Sequence, residues 1–366
     1  MDFDKSKAIR CGPNGEKRAK ELKSRYQILI SGISIVLAVT YSFLLSGCPS
    51  KPPTSPAPTP TPAYSYYGQI GSSAPATGGN NGQFNFPIGV AVDSSGNIFV
   101  TDTKNNRVQR FDSAFSYTLQ WGSSAPATGG AVGQFNYPSG IAMDTFTLFG
   151  FLYVVDTDNN RIQKFNSSGT SVTQWGTYGT SNGQFELPYG VAVDASGYVY
   201  VTDTWNNRVQ KFDSNGVYQI QWGNGAPASG SGPGQFNEPA GIAADNQGYI
   251  YVSDWGNSRI QKFNSSGVFQ KQWGPPCGDP TIGNLCSPRG IAIDPWGNVI
   301  VADQIENAIL KYDSNGNFLG LIGNYVFGGG SGPGQISNPH GIAVDSSGNV
   351  YVADNGNNRI EIFKKN

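Results

Sequence analysis

The sequence predicts an all-β protein, a six-bladed β-propeller closed by an N-terminal strand that completes the last blade. Three observations carry this. Gly-(Ile/Val)-Ala-x-Asp recurs at a period near 50 residues, ending at Asp93, Asp144, Asp194, Asp245, Asp294 and Asp345, and that period is the length of a four-stranded blade. The 49 Gly and 23 Pro make up about a fifth of the 366 residues, with 20 Phe, 18 Tyr and 7 Trp beside them, a composition of short strands and turns rather than helices. Ser-Ser-Gly-Asn, Asp-Ser-Asn-Gly and Asn-Ser-Ser-Gly lie between the apolar runs and are strong chain-reversal signals.

Taken in order, residues 1–47 read as a signal segment. Eight basic residues between Lys5 and Arg25 face four acidic ones, and an uncharged, mostly apolar run follows from Ile28 to Leu45. It leads into Leu45-Ser46-Gly47-Cys48. A basic stretch, an apolar stretch and small residues before a Cys resemble a bacterial lipoprotein signal, and the resemblance implies lipidation at Cys48. The alternative is an uncleaved anchor, since 18 residues just span a bilayer. Both place the remainder outside the cytoplasm, so the expected location is the bacterial cell envelope, membrane-anchored and facing the periplasm or exterior. Residues 48–63, with seven prolines from Pro49 to Pro62, read as an extended spacer.

Residues 64–366 hold the repeats. In the first copy the strands are Gly89–Val92, Asn97–Thr101, Arg107–Phe111 and Tyr117–Trp121. A second Asp falls at Asp102, Asp156, Asp203, Asp254, Asp303 and Asp354, followed by segments close to Asn-Asn-Arg-(Val/Ile)-Gln-(Arg/Lys)-Phe. The fifth copy departs most, with Ala308 where the others have Arg. The sixth copy stops at Asn366 without a fourth strand, while Gly71–Gly79 is identical to Gly122–Gly130, a stretch that follows a fourth strand. Tyr64–Ile70 is therefore expected to supply the missing outer strand and remove an open edge. The sixth copy, Asn338-Pro339-His340-Gly341-Ile342-Ala343-Val344-Asp345 and its continuation to Asp354, resembles the NHL-repeat family. That resemblance implies a propeller used as an interaction platform or, in some members, as an enzyme.

Residues present in every copy are expected to build the blades. The second-series Asp should pair with the Arg five residues on, and the Trp of Gln-Trp-Gly should pack between blades. Function is sought where the copies differ. Between Pro and Gly stand Ile88, Ser139, Tyr189, Ala240, Arg289 and His340, and the turns after the second Asp carry Lys104, Asp158, Trp205, Trp255, Gln304 and Glu306. These should ring one channel mouth. The candidate ligand-binding residues are Tyr189, Arg289, His340, Trp205, Trp255, Lys104 and Glu306. Arg289 and His340 come from adjacent blades and suit a carboxylate or phosphate, or acid–base work by a His titrating near neutrality.

His340 is the single His of the chain, so a multi-His metal centre cannot be built, and neither a metal nor another cofactor is expected. Cys277 and Cys286 share one loop and are expected to form a disulfide in an oxidising compartment. Removing residues 1–47 leaves 16 basic against 21 acidic residues, a net of −5 from the whole chain's −1, which argues against a nucleic-acid partner. The expected function is a non-catalytic binding or scaffold module for a protein, peptide or glycan. The alternative is a propeller enzyme of lyase or lactonase type acting at the channel mouth.

Overall fold

The computed structural model describes residues 63–71, 78–122, 130–144, 150–223, 228–274 and 277–366. The basic segment, the apolar run, Cys48 and the spacer up to residue 62 lie outside the described residues, as does the insertion at 145–149 of the second repeat.

Each repeat is a four-stranded antiparallel sheet, and six sheets form the propeller ring. The innermost strands are Pro87–Val92, Pro138–Met143, Pro188–Val193, Pro239–Ala244, Pro288–Ile293 and Pro339–Val344. Each opens on a Pro, whose missing N–H is tolerated at a strand start. The second strands, such as Ile98–Asp102 and Val199–Asp203, are buried at every position, as expected of a strand covered on both faces. The outer strands, such as Tyr117–Gly122, alternate between half-buried and exposed. Between the first and second strands, Asp93 accepts from the N–H groups of Ser95 and Asn97 at 2.9 and 2.8 Å and from the Asn97 side chain at 2.7 Å. This Asp-anchored turn is one reason Asp ends the first motif.

The inner strands converge so closely that glycine is required. At Gly89, Gly140, Gly190, Gly241, Gly290 and Gly341 a Cβ would collide with the carbonyl oxygen of the residue between Pro and Gly in the next blade. Outward of this ring, consecutive blades interdigitate through aromatic rings. Trp121 lies 5.8 Å from Phe165, Trp175 5.8 Å from Phe212 and Trp222 5.8 Å from Phe263. The Trp of Gln-Trp-Gly thus packs between blades, as its recurrence predicts.

The predicted Asp–Arg pairs form in five blades, with Nε–Oδ2 distances of 2.7 Å at Arg107–Asp102, Arg161–Asp156, Arg208–Asp203, Arg259–Asp254 and Arg359–Asp354. In blade 3 all five N–H donors of Arg208 are used. The partners are Asp203, the Thr180, Ser181 and Gln184 carbonyls and Gln221 Oε1, at 2.6–2.9 Å. One buried guanidinium therefore ties two strands to the loop that leads into its own blade.

The last blade closes as expected. Tyr64–Gly71 pairs antiparallel with Arg359–Lys365, from Tyr64 opposite Lys365 to Gly71 opposite Arg359. Gln69 Oε1 accepts from Arg359 Nη1 at 3.0 Å, taking the part that Gln221 plays in blade 3.

Candidate functional site

The site begins with an unusual backbone. The residue before the inner-strand Pro is Phe86, Tyr137, Leu187, Glu238 and Asn338 in five blades, with φ of 61°, 57°, 46°, 51° and 52°. Non-glycine residues rarely adopt this conformation unless the surroundings hold them there. What holds them is the Asn at the second position of the Asn-Asn-Arg turn, or of its Glu-Asn-Ala counterpart, in the preceding blade. The Oδ1 atoms of Asn358, Asn106, Asn160, Asn207 and Asn307, in that order, accept their N–H groups at 2.7–2.8 Å. This clamping role of the Asn side chains was not foreseen from the sequence. The signal was the coincidence of that Asn with a variable residue before Pro in the next repeat.

Blade 5 is built differently. Ser258 replaces the clamping Asn, and its Oγ donates to Cys286 O at 2.7 Å. Cys277 and Cys286 are joined in a disulfide. Asp303 has no Arg and is held by the N–H groups of Cys286, Ser287 and Glu306 at 2.7, 3.1 and 3.1 Å. Where blade 3 pairs Gln210 with Gln221, blade 5 pairs Leu310 with Leu321.

At the axis a cavity of about 90 Å³ opens. It is lined by the six inner glycines, by an aliphatic residue next to each, and by Ile88, Tyr189, Arg289 and His340. Four of the six residues between Pro and Gly thus line this cavity. Ser139 and Ala240 are fully buried and do not, which corrects the expectation that all six ring the mouth. Ser139 Oγ is already committed to Thr157 Oγ1 and the Tyr189 carbonyl, at 2.6 and 2.9 Å.

Arg289 lies over Trp255, with Cζ 3.5 Å from the ring centre, and 5.5 Å from the centre of the Tyr189 ring. Its Nε donates to Gln304 Oε1 at 2.8 Å, and the Trp255 indole N–H donates to Ser287 Oγ at 2.6 Å. Among the described residues Arg289 forms no ion pair, unlike the five blade-building arginines. Burial pulls its pKa down, while Tyr189, Glu238 and Tyr137 nearby favour the cation.

His340 is buried, and its Nδ1 is hydrogen-bonded to the Tyr189 hydroxyl at 2.5 Å. Burial, reinforced by the Arg289 charge, pushes its pKa down to about 3. Burial pushes the Tyr189 hydroxyl up to about 12. Both groups are neutral across the physiological range. This corrects the expectation of a His titrating near neutrality, because the fold withholds the water that the imidazolium needs. His340 Nε2 is buried without a hydrogen-bond partner among the described residues.

Phe86 lies 5.7 Å from His340, and Lys104 Nζ sits 4.2 Å over the Phe86 ring, so Lys104 reaches the cluster through an aromatic. Trp205 is 56% exposed and makes no aromatic contact with the group. Glu306 is not brought to the mouth. Its Oε1 lies 2.7 Å from Cys286 Sγ, and burial with Asp303 and Asp279 pushes its pKa up. Among the described residues, Cys277, Cys286 and Glu306 come together as a metal-ligand type of cluster, but the disulfide leaves only the carboxylate to ligate. Phe86, Tyr137 and Glu238 belong to the site and were not foreseen. They precede the Pro, outside the positions compared between repeats.

Comparison with known proteins agrees with this architecture. The NHL repeat pattern matches residues 84–111, 185–212, 236–263 and 337–363. Peptidylglycine alpha-amidating monooxygenase of Rattus norvegicus is 33% identical over 117 residues, 30% of this chain and 12% of that protein. The protein brain tumor of Drosophila melanogaster is 32% identical over 117 residues, 32% of this chain and 10% of that protein. The matches thus span about a tenth of the length of these curated relatives. Among solved structures, a Bacteroides thetaiotaomicron protein of unknown function superposes with a TM-score of 0.63 at 17% identity, over 81% of this chain and 75% of that one. Virginiamycin B lyase of Staphylococcus aureus gives 0.52 at 17% identity, over 76% and 80%. At such identities the likeness concerns the fold alone. The chain is a six-bladed β-propeller in which four stretches match the NHL repeat.

Proposed function

We propose that the protein is an exported, membrane-anchored binding module without catalytic activity of its own, whose propeller seats a protein, peptide or glycan ligand over the axial mouth. The observation that carries this is Arg289, a half-buried guanidinium stacked on Trp255 with no carboxylate paired to it. Aromatic rings and Arg in a concave mouth are typical recognition groups. The cavity below, at about 90 Å³, admits a functional group rather than a whole sugar or peptide, so the bulk of a ligand rests on the rim, where Trp205 is exposed. Anchoring is supported by the basic segment, the apolar run and Leu45-Ser46-Gly47-Cys48.

The test uses the full chain in detergent, screened on peptide and glycan arrays. Trp205→Ala and Trp255→Ala should each weaken the recovered ligand at least tenfold with the melting temperature unchanged. Binding indifferent to both substitutions, or turnover of the recovered ligand that Arg289→Gln abolishes, would overturn the reading. For the anchor, metabolic labelling with a fatty acid should mark the wild type and not Cys48→Ser.

A further inference from the structure

Arg289, Tyr189 and His340 meet at the cavity with their hydrogen-bonding capacity incompletely used. Tyr189 keeps its proton and faces His340 Nδ1. Its hydroxyl donating there makes Nδ1 the acceptor and leaves Nε2 with the hydrogen, since neutral imidazole has one donor and one acceptor. In that tautomer the Nε2–H is buried and has no acceptor among the described residues, a costly arrangement unless something accepts from it. His340 lines the same cavity as Arg289, whose Nη groups meet no acceptor among the described residues while its Nε is held by Gln304.

The charge is also incomplete. His340 is neutral and Arg289 is cationic; Glu238 favours that cation without forming an ion pair with it among the described residues, and Lys104 stands over the Phe86 ring. Burial first, and Asp158 as well, raise the pKa of Tyr137, and among the described residues Asp158 forms no ion pair with Arg289. The Arg289 guanidinium, with no carboxylate paired to it among the described residues, thus stands beside one buried N–H donor. A planar monoanion with two acceptor oxygens matches this set, one oxygen on the guanidinium and one on the imidazole N–H. A dianion would leave a second charge in a poorly solvated cavity lined below by aliphatic residues, a cavity that Lys104 does not line.

Resting on the reading of the mouth as the binding surface, we propose that the axial cavity is a carboxylate-binding site, with Arg289 as the cation, His340 as a neutral N–H donor and Tyr189 as the residue that fixes the His340 tautomer. The carboxylate belongs either to a free small acid or to the end of a peptide chain, and the probes separate these.

Ligand-observed NMR on the full chain at pH 7 would use acetate, N-acetylalanine, N-acetylalaninamide and inorganic phosphate. At least one of the two carboxylates should bind saturably, and at least tenfold more tightly than phosphate and the amide. Tighter binding of acetate identifies a free small acid, and tighter binding of N-acetylalanine identifies a chain end. Arg289→Gln should lose the carboxylate by tenfold or more. His340→Phe keeps a ring against Phe86 and removes the N–H, and should lose about threefold to tenfold; if it fails to fold, Tyr189→Phe should show the smaller loss instead. Phosphate or the amide binding as well as the carboxylate, no carboxylate binding at all, or affinity unchanged in Arg289→Gln overturns the site. If Trp255→Ala abolishes capture of the array ligand while no carboxylate binds, this inference falls and the broader reading stands. Carboxylate binding beside array capture that ignores the rim has the opposite meaning.

Discussion

Blade 3 and blade 5 use the same residue type for opposite ends. In blade 3 every donor of Arg208 is met inside the protein, by Asp203, Gln221 and three loop carbonyls. In blade 5 that arginine is missing, and Ala308, Leu310 and Leu321 make the corresponding layer apolar. The loop leading into this blade is held instead by the Cys277–Cys286 disulfide and by N–H groups donated to Asp303. Blade 5 carries its own arginine at the axis, where only Nε is held. A buried arginine whose donors are all satisfied can only build, whereas one whose fork is left open can bind.

The largest way to break this comparison is to remove each arginine in turn. Arg208→Met strands the buried Asp203 carboxylate and should cost about 3–5 kcal/mol, the range for breaking a buried pair from one side. Arg289→Gln strands no carboxylate and should change stability by less than about 1 kcal/mol. Chemical denaturation of the two variants decides the point, and equal losses would refute the division into building and binding arginines.

Blade 6 sharpens the rule through a carboxylate. Gln109, Gln163, Gln210 and Gln261 each donate through Nε2 to the blade Asp at 3.0–3.1 Å and to a loop carbonyl at 2.6–2.7 Å. Glu361 occupies this place in blade 6, fully buried, with Arg359 Nη2 2.8 Å from its Oε1. Burial first, and Asp354 as well, push its pKa up to about 7 against the pull of Arg359. Ionised Glu361 also raises the pKa of Tyr66 on the closing strand. The folded state holds a proton here at pH values where the unfolded chain, with its carboxyl near 4.5, has released it. Stability should therefore fall as pH rises from about 4.5 to 7, by up to about 3 kcal/mol, and level off above. Glu361→Gln restores the amide donor of the other blades. It should flatten this slope and raise the melting temperature at pH 8. A slope that survives the substitution assigns the titration elsewhere.

The disulfide of blade 5 should matter by less. Closing a loop of nine residues stabilises by about 2.5 kcal/mol on chain-entropy grounds. Cys286→Ser should cost about that much in a denaturant titration. The same reductant that lowers wild-type stability should leave Cys286→Ser unchanged.

The ring, its six units and its closure were legible because each depends on residues that repeat. Gly at the axis, Asp at the turns, Asp–Arg in the blades and Trp between them recur in sequence because the same geometry recurs in space. Tyr189, Arg289, His340 and Trp255 were legible as the exceptions to that repetition. The difference between Glu306 and Gln304 was not. Both stand in one turn, but Glu306 lies against the Cys286 sulfur while Gln304 accepts from Arg289. The protonation of His340 was not legible either, because it follows from burial and from the Arg289 charge, which composition does not reveal. Phe86, Tyr137 and Glu238 escaped because a left-handed residue before Pro leaves no composition signal of its own.

The smallest effect separates the two ways of holding a blade's first loop. Asn358 Oδ1 accepts the Phe86 N–H at 2.8 Å across the seam where the last blade meets the first. Asn358→Ala leaves that N–H without its acceptor and Phe86 in its left-handed conformation, at φ 61°, without support. The expected cost is about 1–2 kcal/mol. Phe86 also contacts His340 and carries Lys104, so carboxylate binding at the mouth should weaken with it. Ser258→Ala removes a bond to the Cys286 carbonyl in a loop that the disulfide and Asp303 still hold, and should cost below about 1 kcal/mol. Comparing the two denaturation midpoints tests whether the Asn clamp or the disulfide is the firmer device. A larger loss at Ser258 would mean that blade 5 depends on its replacement clamp as much as the others depend on theirs.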